Sequence, residues 1–146
     1  MRPFETHTEE ETIELGREIA AKLVSGDVVA VYGDLGSGKT RLIQGVCRGF
    51  GVTEHVASPT FTILRQYAAG GLIINHFDFY RVQSLPEARD IGFEEYVFGD
   101  GVCLIEWAER VGPLLPPRRY EVHMKLGPDR DSRIIEIHEP VIEVSA

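Results

Sequence analysis

The run Gly33-Asp34-Leu35-Gly36-Ser37-Gly38-Lys39-Thr40 satisfies G-x-x-x-x-G-K-[ST] at every fixed position. Its chemistry is the gripping of phosphate. Glycines in such a loop let successive backbone N–H groups turn toward one anion, at an approach that a Cβ would block. Lys39 is long enough to reach the terminal phosphates of a nucleotide, and the Thr40 hydroxyl can ligate Mg2+. Asp34, Leu35 and Ser37 belong to the same cradle, and Arg41, next in the chain, is counted with it as a nucleotide contact.

Mg2+ on a bound phosphate calls for a carboxylate from the end of a neighbouring strand. Two acids fit. Glu106 closes Val102-Cys103-Leu104-Ile105, and Asp78 closes Leu72 to Phe77, with His76 and Tyr80 alternating beside it. An acid ending an apolar strand is costly to bury without a partner. That partner is either a metal or a structural group, a helix cap or an arginine such as Arg81 or Arg110. Ser58-Pro59-Thr60-Phe61-Thr62-Ile63 lies between the P-loop helix and the next strand, where many P-loop proteins place a γ-phosphate sensor. Thr60 or Thr62 can offer a hydroxyl there, although the segment reads equally well as a Ser-Pro turn entering a strand. The sole tryptophan, Trp107, follows Glu106 and is either core filler or an aromatic contact for a partner.

The elements that must hold these residues follow from apolar spacing. Asp27 to Tyr32 reads as a buried strand leading into the loop, and Lys39 to Phe50 as a helix with Leu42, Ile43, Val46 and Phe50 on one side. Gly49 and Gly51 end that helix. Thr8 to Leu23 reads as an amphipathic helix opened by the capping pattern Thr8-Glu9-Glu10-Glu11, with Ile13, Ile19, Ala20 and Leu23 buried. Thr62 to Tyr67 and Leu72 to Phe79 form a hairpin through Ala68 to Gly71, and Ser84 caps a short helix through Ile91. Gly101 to Trp107 is a central parallel strand; Tyr120 to Leu126 and Arg133 to His138 form a second hairpin around Gly127 to Asp131. The expected fold is α/β, a P-loop NTPase with helices on both faces of a mixed sheet, its parallel centre extended by antiparallel hairpins. The nucleotide sits at the carboxyl edge. One domain over residues 1–146 suits this length.

Composition narrows the function. The 146 residues carry a formal charge of −8, and the Arg118-Arg119 and Arg130/Arg133 pairs read as solvated loop or strand-edge charges, not a basic face. Direct nucleic-acid binding by this chain alone is disfavoured, since phosphate neutralisation supplies most non-specific affinity. No apolar run spans a bilayer, and the acidic N-terminus predicts no secretory leader. Cys47 and Cys103 read as core thiols of a cytoplasmic protein. The sole asparagine, Asn75, precedes His76, so the Asn-Lys-x-Asp base-reading motif of GTPases is absent; the Leu-Ser-Gly-Gly-Gln transporter signature and an arginine-rich kinase lid are absent too.

Four segments in order, Gly33 to Thr40, Ser58 to Ile63, His76-Phe77-Asp78-Phe79-Tyr80-Arg81 and Ile105-Glu106-Trp107, together resemble the TsaE (YjeE) family. The likeness begins at the helix containing Glu11 to Arg17. It implies an ATP-binding, weakly hydrolysing, Mg2+-dependent protein of tRNA threonylcarbamoyladenosine synthesis. Such a protein acts through a TsaB–TsaD heterodimer, and so reaches tRNA only indirectly. By the resemblance, Lys39 holds phosphate, Thr40 and Glu106 ligate Mg2+, Asp78 acts on water or metal, and Thr60 lies in the switch. Glu9 is a nucleotide contact from a closing N-terminal segment, and Trp107 lies at or near the site. Ser37 and Phe61 stand where the family commonly has alanine and tyrosine, and neither change touches the metal-binding groups. The competing expectation is a small-molecule P-loop kinase, which shares the loop and the metal carboxylate but needs an acceptor pocket.

Overall fold

Residues 3–57 and 63–140 are described in a computed structural model of the chain. The continuous apolar runs become adjacent strands because only strands covered on both faces tolerate apolar residues at every position. Strand β2 (Val28–Tyr32) pairs in parallel with β5 (Val102–Glu106) on one side and β6 (Tyr120–Leu126) on the other, and β5 pairs in parallel with β4 (Leu72–Asp78). Antiparallel partners close the flanks: β3 (Leu64–Ala69) on β4, and β7 (Arg133–His138) on β6. A short strand not anticipated from sequence, β1 (Phe4–Thr6), adds to β7, giving the order β1-β7-β6-β2-β5-β4-β3. The mixed sheet with a parallel centre is as expected.

Strand alternation sorts the core into two layers. Val29, Val31, Ile74, Val102 and Leu104 face helices α1 (Glu9–Ala20) and α2 (Lys39–Gly49). Val28, Ala30, Phe77, Cys103 and Ile105 face the other layer, with α3 (Leu85–Asp90), α4 (Phe93–Val97) and the 3-10 turns at Ala108–Leu114. The same parity carries to the strand ends, so His76, Asp78 and Glu106 fall on the α2 side.

Helix α1 opens as its capping residues dictate: Thr8 Oγ1 accepts from the Glu11 amide at 3.1 Å, and the Glu11 carboxylate accepts from the His7 amide at 3.1 Å. The helix stops at Ala20, short of Leu23, which is nonetheless buried. Helix α2 ends in a Schellman pattern, with Gly51 N–H donating to Arg48 O and Val52 N–H to Cys47 O, both at 3.0 Å, and Gly51 at φ +91°. Gly49, the last residue of α2, has a second role. A Cβ there would stand 2.5 Å from Ala20 Cβ, and one on Gly45 would stand 1.9 Å from Ile13 O. The two helices therefore touch backbone to backbone, a contact that requires glycines and that periodicity alone did not reveal. Other boundaries shift slightly: β4 ends at Asp78, α3 at Asp90, and the first hairpin turns at Gly70-Gly71 after β3 reaches Ala69. Phe50 is only half-buried.

Candidate nucleotide site

The P-loop leaves β2 at its carboxyl edge and feeds α2, as the order of apolar run, glycines and helix requires. Gly38, the N-cap of α2, has φ +96° and ψ +14°, a left-handed geometry that a side chain would strain. Lys39 folds back over the loop. Its Nζ donates to the Gly33 carbonyl, to Asp34 O at 2.9 Å and to Ser37 Oγ at 3.5 Å. The Trp107 ring covers the same ammonium, its centroid 4.2 Å from Nζ. Burial pushes the Lys39 pKa down, countered by the charges of Glu106 and Glu109.

Glu106 and Asp78 stand opposite one another in the β4–β5 register. The Glu106 side chain is 3% exposed; its Oε1 accepts from Thr40 Oγ1 at 3.0 Å, and its Oε2 lies 2.7 Å from His76 Nε2. His76 is fully buried, and its Nδ1 has no partner among the described residues. A lone pair left unpaired costs less than an N–H, so the proton belongs on Nε2, donated to Glu106. His76 thus orients the acid, which the sequence reading noted only as a neighbour of Asp78. Asp78 is half-buried, its Oδ1 accepts from the Tyr80 amide at 2.9 Å, and burial raises its pKa. Arg110, one structural partner considered for these acids, instead donates to Val82 O at 3.3 Å and lies 5.8 Å from the Trp107 ring.

These groups share a cavity of about 360 Å³, whose wall includes Gly36, Gly38, Lys39, Thr40, Asp78, Glu106 and Trp107. Leu35 and Arg41 line it as well, and Glu9 reaches it from the start of α1, 3.5 Å from Arg41. Gly33, Asp34 and Ser37 lie behind the wall, where they hold Lys39. The Thr60 candidate, like Thr62, lies outside the described residues. Four wall residues were not selected from sequence: Thr12 of α1, Tyr80 just past β4, and Asp131 and Arg133, which come from the second hairpin and its turn. Arg133 had been read as one of a solvated pair; no P-loop motif reaches that far along a chain, and only the β6–β7 pairing brings it near.

The oxygens present suit Mg2+. Among the described residues no group of three His, Cys, Asp or Glu could hold a metal. Mg2+ does not need one, since it keeps several waters and takes few protein oxygens. Thr40 and Glu106, in contact at the cavity wall, supply a hydroxyl and a carboxylate of the right hardness. No helix among the described residues is long and apolar enough to cross a membrane.

Comparison with known proteins shows the family and the fold. The sequence model of the family described as "Threonylcarbamoyl adenosine biosynthesis protein TsaE" matches residues 6–135. The tRNA threonylcarbamoyladenosine biosynthesis protein TsaE of Bacillus subtilis is 40% identical over 131 residues, 90% of this chain and 82% of that one. Its namesake in Treponema pallidum is 39% identical over 125 residues, 86% of this chain and 92% of that one. The crystal structure of YdiB from Bacillus subtilis is similar with a TM-score of 0.78 at 38% identity, covering 91% of this chain and 81% of its own. With the family's sequence model spanning nearly its whole length, this chain belongs to the TsaE family.

Proposed function

We propose that this protein binds Mg·ATP in the P-loop cavity and hydrolyses it slowly. Through that cycle it supports threonylcarbamoyladenosine formation on tRNA by acting on a TsaB–TsaD heterodimer. The observation that carries the nucleotide reading is the Thr40–Glu106 contact at 3.0 Å, a metal-binding pair beside a lysine held in a phosphate loop. Membership of the TsaE family supports the tRNA pathway. A net charge of −8 supports reaching tRNA through partners, and two buried free thiols support a cytoplasmic site of action.

Each residue has a part. Backbone amides of Gly36 to Thr40 and the Lys39 ammonium bind and orient the phosphates. Mg2+, held by Thr40 and Glu106, offsets phosphate charge when bound. Asp78, its carboxylate less acidic than usual, is suited to take a proton from an attacking water. Thr60 is the proposed switch hydroxyl, and Glu9 with Arg41 closes the rim.

The deciding experiment is reconstitution with cognate TsaB, TsaD, TsaC and tRNA. Multiple-turnover modification that needs this chain and ATP hydrolysis is the expected result; modification that proceeds equally without it refutes the proposal. A brisk release of ADP with a small-molecule acceptor, and no partner present, would point to a kinase instead.

A further inference from the structure

We propose that Arg133, on the C-terminal hairpin, is a phosphate ligand of the same cavity, so that the nucleotide is gripped from two ends of the chain. This rests on the nucleotide-binding reading above. Arg133 opens β7, and its guanidinium reaches back to the P-loop. Nη1 donates to Arg130 O at 3.0 Å and Ser132 O at 2.8 Å, while Nη2 donates to Gly36 O at 3.1 Å, 97 residues away in sequence. The first two bonds staple the local turn. The third has no such local explanation and delivers a permanent cation to the phosphate loop.

Two further observations point to an anion. No carboxylate pairs with Arg133 among the described residues, and its buried Nε has no acceptor. An enclosed donor without a partner is rare in proteins and costly to keep. Nε and Nη2 form one edge of the guanidinium, the edge that matches two oxygens of a phosphate. That edge faces the loop, since a Cβ on Gly38 would stand 3.6 Å from Nε.

The cavity wall carries more carboxylates than cations, so which cations lack an acidic partner matters. Glu9, Asp78, Glu106 and Asp131 line it against Lys39, Arg41 and Arg133. Arg41 is engaged with Glu9 at 3.5 Å, so Lys39 and Arg133 are the wall cations left to receive a polyanion. The register tightens the connection, because Arg133 is the Cα partner of Thr6, whose hydroxyl meets Thr12 of α1 at 2.7 Å. The hairpin, the N-terminal helix and the loop therefore meet at one rim.

The test uses the full chain carrying Arg133→Met, which keeps an unbranched apolar stem without the donors, or Arg133→Lys, which keeps the charge without the planar fork. Mg·ATP and Mg·ADP are titrated into each by calorimetry, and unfolding is followed without nucleotide. The expected result is a loss of affinity of about tenfold or more for both nucleotides in the methionine variant, with partial recovery in the lysine variant. A staple of the turn and nothing more would lower the unfolding temperature and leave the folded protein's affinity unchanged; that result overturns the assignment. If the methionine variant does not fold, the lysine variant decides, because affinity equal to wild type would show that the fork is not used. Wild-type protein that binds neither nucleotide refutes the nucleotide reading itself, and Arg133 falls with it.

Discussion

Replacing Glu106 separates its structural role from its proposed metal role. In Glu106→Gln the side chain keeps its length, its carbonyl can accept from His76 Nε2, and its amide can donate to Thr40 Oγ1, the two neighbours now at 2.7 and 3.0 Å. The nucleotide-free protein should lose less than about 1 kcal/mol, because the buried His76 Nε2 keeps its acceptor. Glu106→Ala removes the acceptor from His76 and should cost about 1–3 kcal/mol more. Nucleotide linkage behaves differently. At Mg·ATP 100-fold above its dissociation constant, wild type gains ~2.7 kcal/mol, and at about 2–4 °C per kcal/mol for a chain of this size the melting temperature rises roughly 5–11 °C. Supporting groups around a metal are worth about 10–100-fold in affinity, and a direct ligand at least the upper figure. A hundredfold loss leaves about 0.4 kcal/mol, or ~1 °C, in Glu106→Gln. Scanning fluorimetry of both variants, with and without EDTA, reads all of these quantities. A Glu106→Gln protein that keeps the wild-type Mg2+-dependent shift would refute the ligand role, and a Glu106→Ala protein as stable as Glu106→Gln would refute the His76 argument.

Three further outcomes follow from the same coordinates. Gly45→Ala sets a methyl 1.9 Å from Ile13 O, so α1 and α2 must part by about an ångström and stability should fall by ~1–3 kcal/mol or more in urea titration; an unchanged midpoint would mean that the helices do not pack as described. Burial holds the Cys47 thiol protonated to about 12 against an ordinary 9.0, so above pH 9 the unfolded chain loses its proton first. Stability should then fall as pH rises, by about 1.4 kcal/mol per unit until the folded thiol ionises. Cys47→Ala should flatten that alkaline slope, and an unaltered slope would show that another group is responsible. Asp78→Asn should bind Mg·ATP with near-wild-type affinity while turnover drops about 10²–10⁴-fold; normal turnover in single-cycle kinetics would remove Asp78 from the mechanism.

Local structure was legible in the sequence wherever it is written in contiguous residues. The phosphate loop, the capping pattern at Thr8, both hairpins, the central strand and the acids at strand ends all depend on neighbours within a few positions. Contacts across elements left weaker traces. Gly45 reads as a mild liability inside a helix until α1 is set against it, and Gly49 reads only as a helix end for the same reason, its packing on Ala20 going unseen. β1 is too short for alternation to register, and its three residues are held by pairing with β7 and by the Thr6–Thr12 contact to α1, both distant in sequence or across elements. Arg133 carries no motif at all. Its significance depends on sheet order, since β7 lies two strands from β2 across β6, and that order is a property of the whole chain.

The cavity holds its charges with partners that are easy to exchange. Ion pairs elsewhere, such as Arg17 with Glu14 and Arg89 with Glu94, lie on the exposed surface. In the cavity, the Lys39 ammonium rests on carbonyls and on the Trp107 ring, Arg133 rests on Gly36 O, and Glu106 accepts from a hydroxyl and an imidazole. Carboxylate partners for these cations would make a tighter resting state, but a ligand would then have to break a buried pair, which leaves a charge stranded and costs several kcal/mol. Carbonyls and a ring would hold a cation weakly enough to release it to the proposed phosphate ligand. Trp107 is built into this arrangement at some expense: its φ of 58° and ψ of 43° put a bulky side chain in the left-handed region, at about 1–2 kcal/mol. That turn ends β5 directly after Glu106 and swings the ring over Lys39, so one strained residue both aims the acid's strand and covers the lysine. Trp107→Gly separates the two effects. It relieves the backbone, so the nucleotide-free protein should lose less stability than with Trp107→Ala, whereas both variants should lose the ring over Lys39 and bind nucleotide equally differently from wild type. A glycine variant no more stable than the alanine variant would show that the left-handed turn carries no strain.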